Sequence, residues 1–281
     1  MKTLAVLFLA SVFVFTSCKK DGVPPTLPPA ESMVMDFKAF GGGQFKDEVM
    51  KSAMDSIPMD SSMSNFSYAK GNADFWNFIV FVTLAVPVSS YYAAFTAEPV
   101  QLDKNVWQWT KEYQSMGATY TARLVGTDED NQVKFEMFVT KKGILGFSEV
   151  KWYEGTMSKS GNSGDWILYE NPNNPVQLLK VNWTKNDAGK VGSIKYTYVK
   201  EKDAYGANNA FFGSYIEYGV TQNTLDRFYN IFVYDIWSAK MVNVNVEWSS
   251  TGYNGHVKAD NHFSDANWHC WNNEGYNISC E

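Results

Sequence analysis

Apolar and polar residues alternate along the chain from about residue 107 to the end. In "VNVNVEW", residues 242–248, three valines and a tryptophan take turns with Asn243, Asn245 and Glu247. That period of two sets one face of a strand against a core and the other in water. Val133, Phe135, Met137 and Val139 repeat it against Lys134 and Glu136, and Leu179, Val181 and Trp183 do so against Lys180 and Asn182. Ile194, Tyr196 and Tyr198 do the same against Lys195 and Thr197. Between these runs stand turn-forming clusters: DEDN at 128–131, KSGN at 159–162, NPNN at 171–174 and NDAG at 186–189. The spacing predicts about ten short strands joined as an antiparallel meander.

One stretch breaks the pattern. Residues 75–95, "FWNFIVFVTLAVPVSSYYAAF", carry no charge and as a helix would be about 31 Å long, the thickness of a bilayer core. Pro87 interrupts it, Asn77, Ser89 and Ser90 dilute it, and the nearest lysines, Lys70 and Lys104, flank it without asymmetry. These features argue against a span. A helix apolar on all sides must then be covered on all sides by protein. The expected fold is therefore mainly β: a curved antiparallel meander, half-barrel or sandwich, wrapped around one hydrophobic helix at 72–95 bent at Pro87. It is similar in outline to lipoprotein-carrier folds, in which an unclosed barrel covered by helices encloses an apolar cavity. In such an arrangement Phe78, Val82 and Tyr92 are candidates to line a cavity between helix and sheet.

The N-terminus has a different character. Lys2 precedes an apolar run, Leu4 to Phe15, too short to span a bilayer, and Thr16 and Ser17 lead to Cys18. This is the layout of a secretory leader. The residues Phe15, Thr16, Ser17 and Cys18 resemble a lipobox, and with Lys19, Lys20 and Asp21 they resemble lipoproteins of the Bacteroidetes type, although Phe15 stands where Leu is usual. The resemblance implies cleavage before Cys18, acylation of Cys18 by diacylglycerol and an amide-linked chain such as palmitate, and an outer-membrane location. The expected organisation is a signal peptide at 1–17, a lipidated, proline-rich tether at 18–31 and one domain at 32–281. Segment 21–31 has four prolines, which suits a semi-rigid spacer. After it, residues 33–37 alternate as a strand, Gly41, Gly42 and Gly43 end it, and 46–54 suits a short helix.

Composition narrows the partners. The full chain carries a net charge of −6, one unit more negative once Lys2 is removed, and its only arginines are Arg123 and Arg227. Such a chain is a poor nucleic-acid binder. Besides Cys18 there remain Cys270 and Cys280, ten positions apart around Gly275, which in an exported protein points to one disulfide.

The chemistry is sparse. His256, His262 and His269, with Asp260 and Asp265 among them, are a weak metal-ligand set whose spacing matches no compact motif. No nucleophile elbow, phosphate loop or dinucleotide fingerprint occurs. The expectation is a non-enzymatic, cofactor-free, lipid-anchored envelope protein binding an apolar ligand between helix and sheet. The alternative is a surface module for glycan or protein partners, which would display some of its many tryptophans outward.

Overall fold

The computed structural model describes residues 22–35, 61–171 and 174–280, with only the backbone described at Val82, Asn171 and Asn174. The leader, Cys18 and the short helix expected at 46–54 lie outside the described residues. Strands β1 (Pro99–Asp103), β2 (Val106–Ser115), β3 (Ala118–Asp128) and β4 (Gln132–Lys141) open the sheet. Its middle is β5 (Phe147–Ser158), β6 (Ser163–Asn171), β7 (Asn174–Lys185), β8 (Val191–Tyr198) and β9 (Tyr215–Val220). It ends with β10 (Arg227–Asp235), β11 (Lys240–Trp248), β12 (Gly255–Lys258), β13 (His269–Trp271) and β14 (Asn277–Ile278).

The protein is mainly β. Among the described residues 14 strands form one antiparallel sheet in sequence order, not closed into a barrel. The expectation of about ten strands was too low. The extra ones are short: β13 and β14 have three and two residues, too few to show a period. The alternating runs themselves keep their phase. Val133, Phe135, Met137, Val139, Leu179, Val181, Trp183, Ile194 and Tyr196 are all buried, as are Val244, Val246 and Trp248.

Glycines on this buried face admit the largest side chains. Gly155 pairs with Trp166 and Gly164 with Trp183 across adjacent strands. A Cβ on either glycine would lie 2.5 or 2.7 Å from the partner's indole ring, so only glycine lets the ring lie across the strand.

The helix α1 (Ser64–Phe95) runs 32 residues and begins earlier than the apolar stretch suggested. Its first turns are polar, but Lys70 pairs with Asp74 at 2.5 Å, and Phe66 packs edge-on against Trp271 of β13. The axis bends by 60° between Phe81 and Thr83. Pro87 explains the position, because a proline ring crowds the carbonyl four residues earlier, here that of Thr83. The hydroxyls inside the helix are satisfied locally: Thr83 donates to Ile79 O, Ser89 to Ala85 O and Ser90 to Pro87 O. Among the described residues no single straight helix is long and apolar enough to cross a membrane; the two arms of α1 meet that measure only together, across the bend.

The described part of the expected tether does not stand free. Residues 22–29 form neither helix nor strand and Ala30–Met33 form a 3-10 turn; of the strand expected at 33–37, residues 34–35 join no strand pair and 36–37 lie outside the described residues. Tyr91 of α1 donates to Pro28 O at 2.8 Å, and the Trp166 indole N–H to Ser32 Oγ at 3.2 Å. The Tyr196 hydroxyl donates to Met33 O at 2.8 Å and accepts from Met35 N–H at 2.9 Å. Prolines suit this role: without N–H donors they can lie on apolar surface, leaving only carbonyls to be satisfied. The segment is a strap across α1 and the sheet, part of the domain.

Candidate functional site: an apolar groove beside the bent helix

Between the strap and α1 lies a groove of about 710 Å³. Met33, Val34 and Met35 form one wall. Val80, Leu84 and Val88 form the other, three side chains that the four-residue repeat brings onto one stripe of the helix. Phe81 and Tyr92 flank that stripe, 53% and 46% exposed.

Few polar groups enter the lining. At the β2–β3 hairpin, Ser115 donates to Ser89 Oγ of α1 at 3.3 Å, beside Met116. Glu31 of the strap is the one charged lining residue among those described. The Tyr92 hydroxyl is pushed above its ordinary pKa, first by burial and then by the Glu31 carboxylate, so the two lie within electrostatic reach. Asn77 enters from α1 and is 8% exposed.

Of the three residues expected to line a cavity, Tyr92 does so, Phe78 is not among the lining residues, and the Val82 side chain lies outside the described residues. Asn77 and the strap methionines carry no signal of a site in sequence. A lone asparagine in an apolar run and two methionines after a proline stretch reveal their partnership only once the chain is folded.

The three histidines do not converge. His256 of β12 is in register with Cys270 of β13, so His269, one residue earlier, points to the opposite face of the sheet. His256 pairs with Glu247 at 3.0 Å and stacks on Trp268 at 3.8 Å. His269 pairs with Asp265 at 3.0 Å and stacks on Phe263, while His262 stacks on Tyr68 of α1 at 3.7 Å. Among the described residues no three metal-ligating side chains come together, which corrects the expected set of His256, His262 and His269. Cys270 and Cys280 are joined in a disulfide with their Cα atoms 5.3 Å apart. It pins β13 to the end of the described chain, beneath the first turns of α1: the Asn65 carboxamide donates to Cys270 O at 3.0 Å, and that of Asn277 to Ser61 O at 3.0 Å.

Most of the tryptophans are core. Trp107, Trp109, Trp166, Trp183, Trp248 and Trp271 are buried, but Trp237 is 91% exposed. In a sequential meander, turns that follow even-numbered strands share one rim and the others share the opposite rim. Met116, Ile144, Leu145, Tyr205, Ile236 and Trp237, all strongly exposed, lie in the turns of one rim. The other rim carries turns such as DEDN at 128–131 and NDAG at 186–189. No protein-family model, curated protein or solved structure matches the chain.

Proposed function

We propose that this protein is a lipid-anchored envelope lipoprotein, held in the outer membrane through acylated Cys18, whose folded domain carries an apolar ligand in the groove beside α1. The groove carries the reading. Its volume of about 710 Å³ falls in the range of small-molecule sites, and its walls are aliphatic with a few polar groups. We read the sheet as curving around the helix, because α1 meets β2 and β3 at one end of the meander and β12, β13 and β14 at the other. A curved sheet of that kind covers one side of the bent arm, where Tyr91 meets Trp166 and Ser90 meets Tyr153, and leaves another side to the strap and the groove.

Native mass spectrometry of the mature chain from an exporting host, followed by solvent extraction, tests the ligand. A co-purifying apolar mass supports the groove; a clean apo mass with no uptake of added acyl compounds sinks it. The anchor is tested separately by fractionating cells that express Cys18→Ala, which is expected in the soluble fraction. Recovery of that variant with the membranes would remove the anchor from the proposal.

A second reading rests on the rim. Six exposed apolar or aromatic side chains collected at one edge of a sheet suit a surface module for glycan or protein partners. It requires that Trp237→Ala abolish a binding signal on a glycan array while leaving ligand in the groove unchanged.

A further inference from the structure

The groove contains one polar group that no described residue answers. Six polar side chains are buried in the described residues: Ser32, Asn65, Asn77, Ser90, Ser214 and Ser249. Five of them have partners. Ser32 accepts from the Trp166 indole, Asn65 donates to Cys270 O, and Ser90 donates to Pro87 O. Ser214 accepts from Tyr234 N–H and Ser249 from Gly252 N–H. Asn77 alone has no hydrogen-bond partner for its carboxamide among the described residues, and it faces the groove among Val80, Phe81 and Leu84. The Asn77 residue is largely covered, yet its carboxamide is not among the fully buried atoms without a partner, so its polar atoms stay open to the groove and to whatever enters it.

We propose that Asn77 receives a hydrogen bond from, or gives one to, a neutral polar group on an otherwise apolar ligand, and that the ligand is an acyl ester or amide. This rests on the groove being a ligand site. The carboxamide offers both an N–H donor and a carbonyl acceptor, so it can donate to an ester carbonyl or pair with an amide. Charge selects further. Glu31, the charged residue among the described lining residues, stands within electrostatic reach of Tyr92 and has no basic residue beside it among them, so a carboxylate or phosphate entering there meets its repulsion. An uncharged carbonyl does not.

The test uses three probes of one chain length, hexadecane, methyl palmitate and palmitate, each competing with a fluorescent lipid probe for the delipidated mature protein. Wild type is expected to bind methyl palmitate about tenfold tighter than its chain length alone provides, as hexadecane reports, the size of one net hydrogen bond. Asn77→Leu is expected to erase that preference and to retain hexadecane. Glu31→Gln is expected to narrow the gap between palmitate and methyl palmitate. If the ester and the hydrocarbon bind wild type equally, or if Asn77→Leu keeps the ester preference, the role of Asn77 is overturned while the groove remains a ligand site. If none of the three probes binds, the groove reading itself fails.

Discussion

Along α1, Ala69, Ala73, Trp76, Tyr91 and Ala94 are almost completely covered, whereas Phe75, Phe81 and Tyr92 from the same apolar sequence are about half exposed. Hydropathy does not separate the two groups. What separates them is the layer each side meets. The covered side meets the aromatic face of the sheet, where Tyr91 packs edge-on against Trp166 at 5.3 Å. The other side meets a strap with few donors, a kink and a groove. An all-apolar helix therefore has a buried side and a working side only because its partners differ, and mutation of each side should read out differently.

The largest effect is expected on the covered side. Trp166 contacts Tyr91, Phe135 and Tyr153 and lies across Gly155, so Trp166→Ala should cost about 3–5 kcal/mol in chemical denaturation. A loss below 1 kcal/mol would mean that this face is not the core. Next comes the support under the first turns of α1. Replacing Cys270 and Cys280 by serine should lower stability by about 2–3 kcal/mol and speed amide exchange in residues 64–72, because the disulfide closes a short loop beneath them.

Tyr196→Phe sharpens the comparison at the strap. It removes the acceptor of Met35 N–H and the donor to Met33 O, and about 1–2 kcal/mol should be lost. Limited proteolysis should then cut between 22 and 35 before it cuts the sheet; unchanged cleavage would show that the strap is held by other contacts. On the working side, Phe81→Ser should shift stability by no more than about 0.5 kcal/mol yet weaken apolar ligand uptake. A large loss of stability would place Phe81 in the core.

The smallest effect is one of pH. His262, stacked on Tyr68 of α1, is held below its ordinary pKa by burial and then by the charge of His269. The unfolded chain therefore takes up its proton first, and stability should decline as pH falls through about 6.5 toward the lowered folded value. Urea midpoints at pH 7.5 and 5.5 check this, and His262→Asn should flatten the difference. Asp226 contributes in a lower range. Burial opposes its ionisation, but the Ser250 N–H and hydroxyl and the neighbouring Arg227 outweigh that and hold its carboxyl below the usual value. Its contribution is present above about pH 4 and is lost as pH falls further.

Much of this architecture was legible before folding. Residues 133–139, 179–183 and 242–248 state their buried faces by strict alternation, and KSGN and NDAG mark turns that the structure forms with Gly161 and Gly189 at positive φ. The pair of cysteines predicted its own bond. The short strands β13 and β14 were not legible, since two or three residues become a strand only when a neighbour supplies the ladder. The early start of α1 was hidden by Gly71 and by polar first turns whose helicity depends on packing against Trp271 and His262. The histidines misled for the opposite reason: close in sequence, His256 and His269 fall on two faces of one sheet, and His262 lies in the link between their strands.

The strand phases, the sequential meander, the disulfide and the need to cover an apolar helix all follow from local periodicity or from covalent chemistry. Which side of that helix is covered, the proline-rich segment's role as a strap and the exposure of Asn77 to a groove arise only when distant parts of the chain pack together. Those outcomes depend on what residues far apart in the chain offer one another. Tyr196 and Met35 are 161 positions apart, and no window along the chain can show that a hydroxyl on one strand will satisfy the backbone of the other.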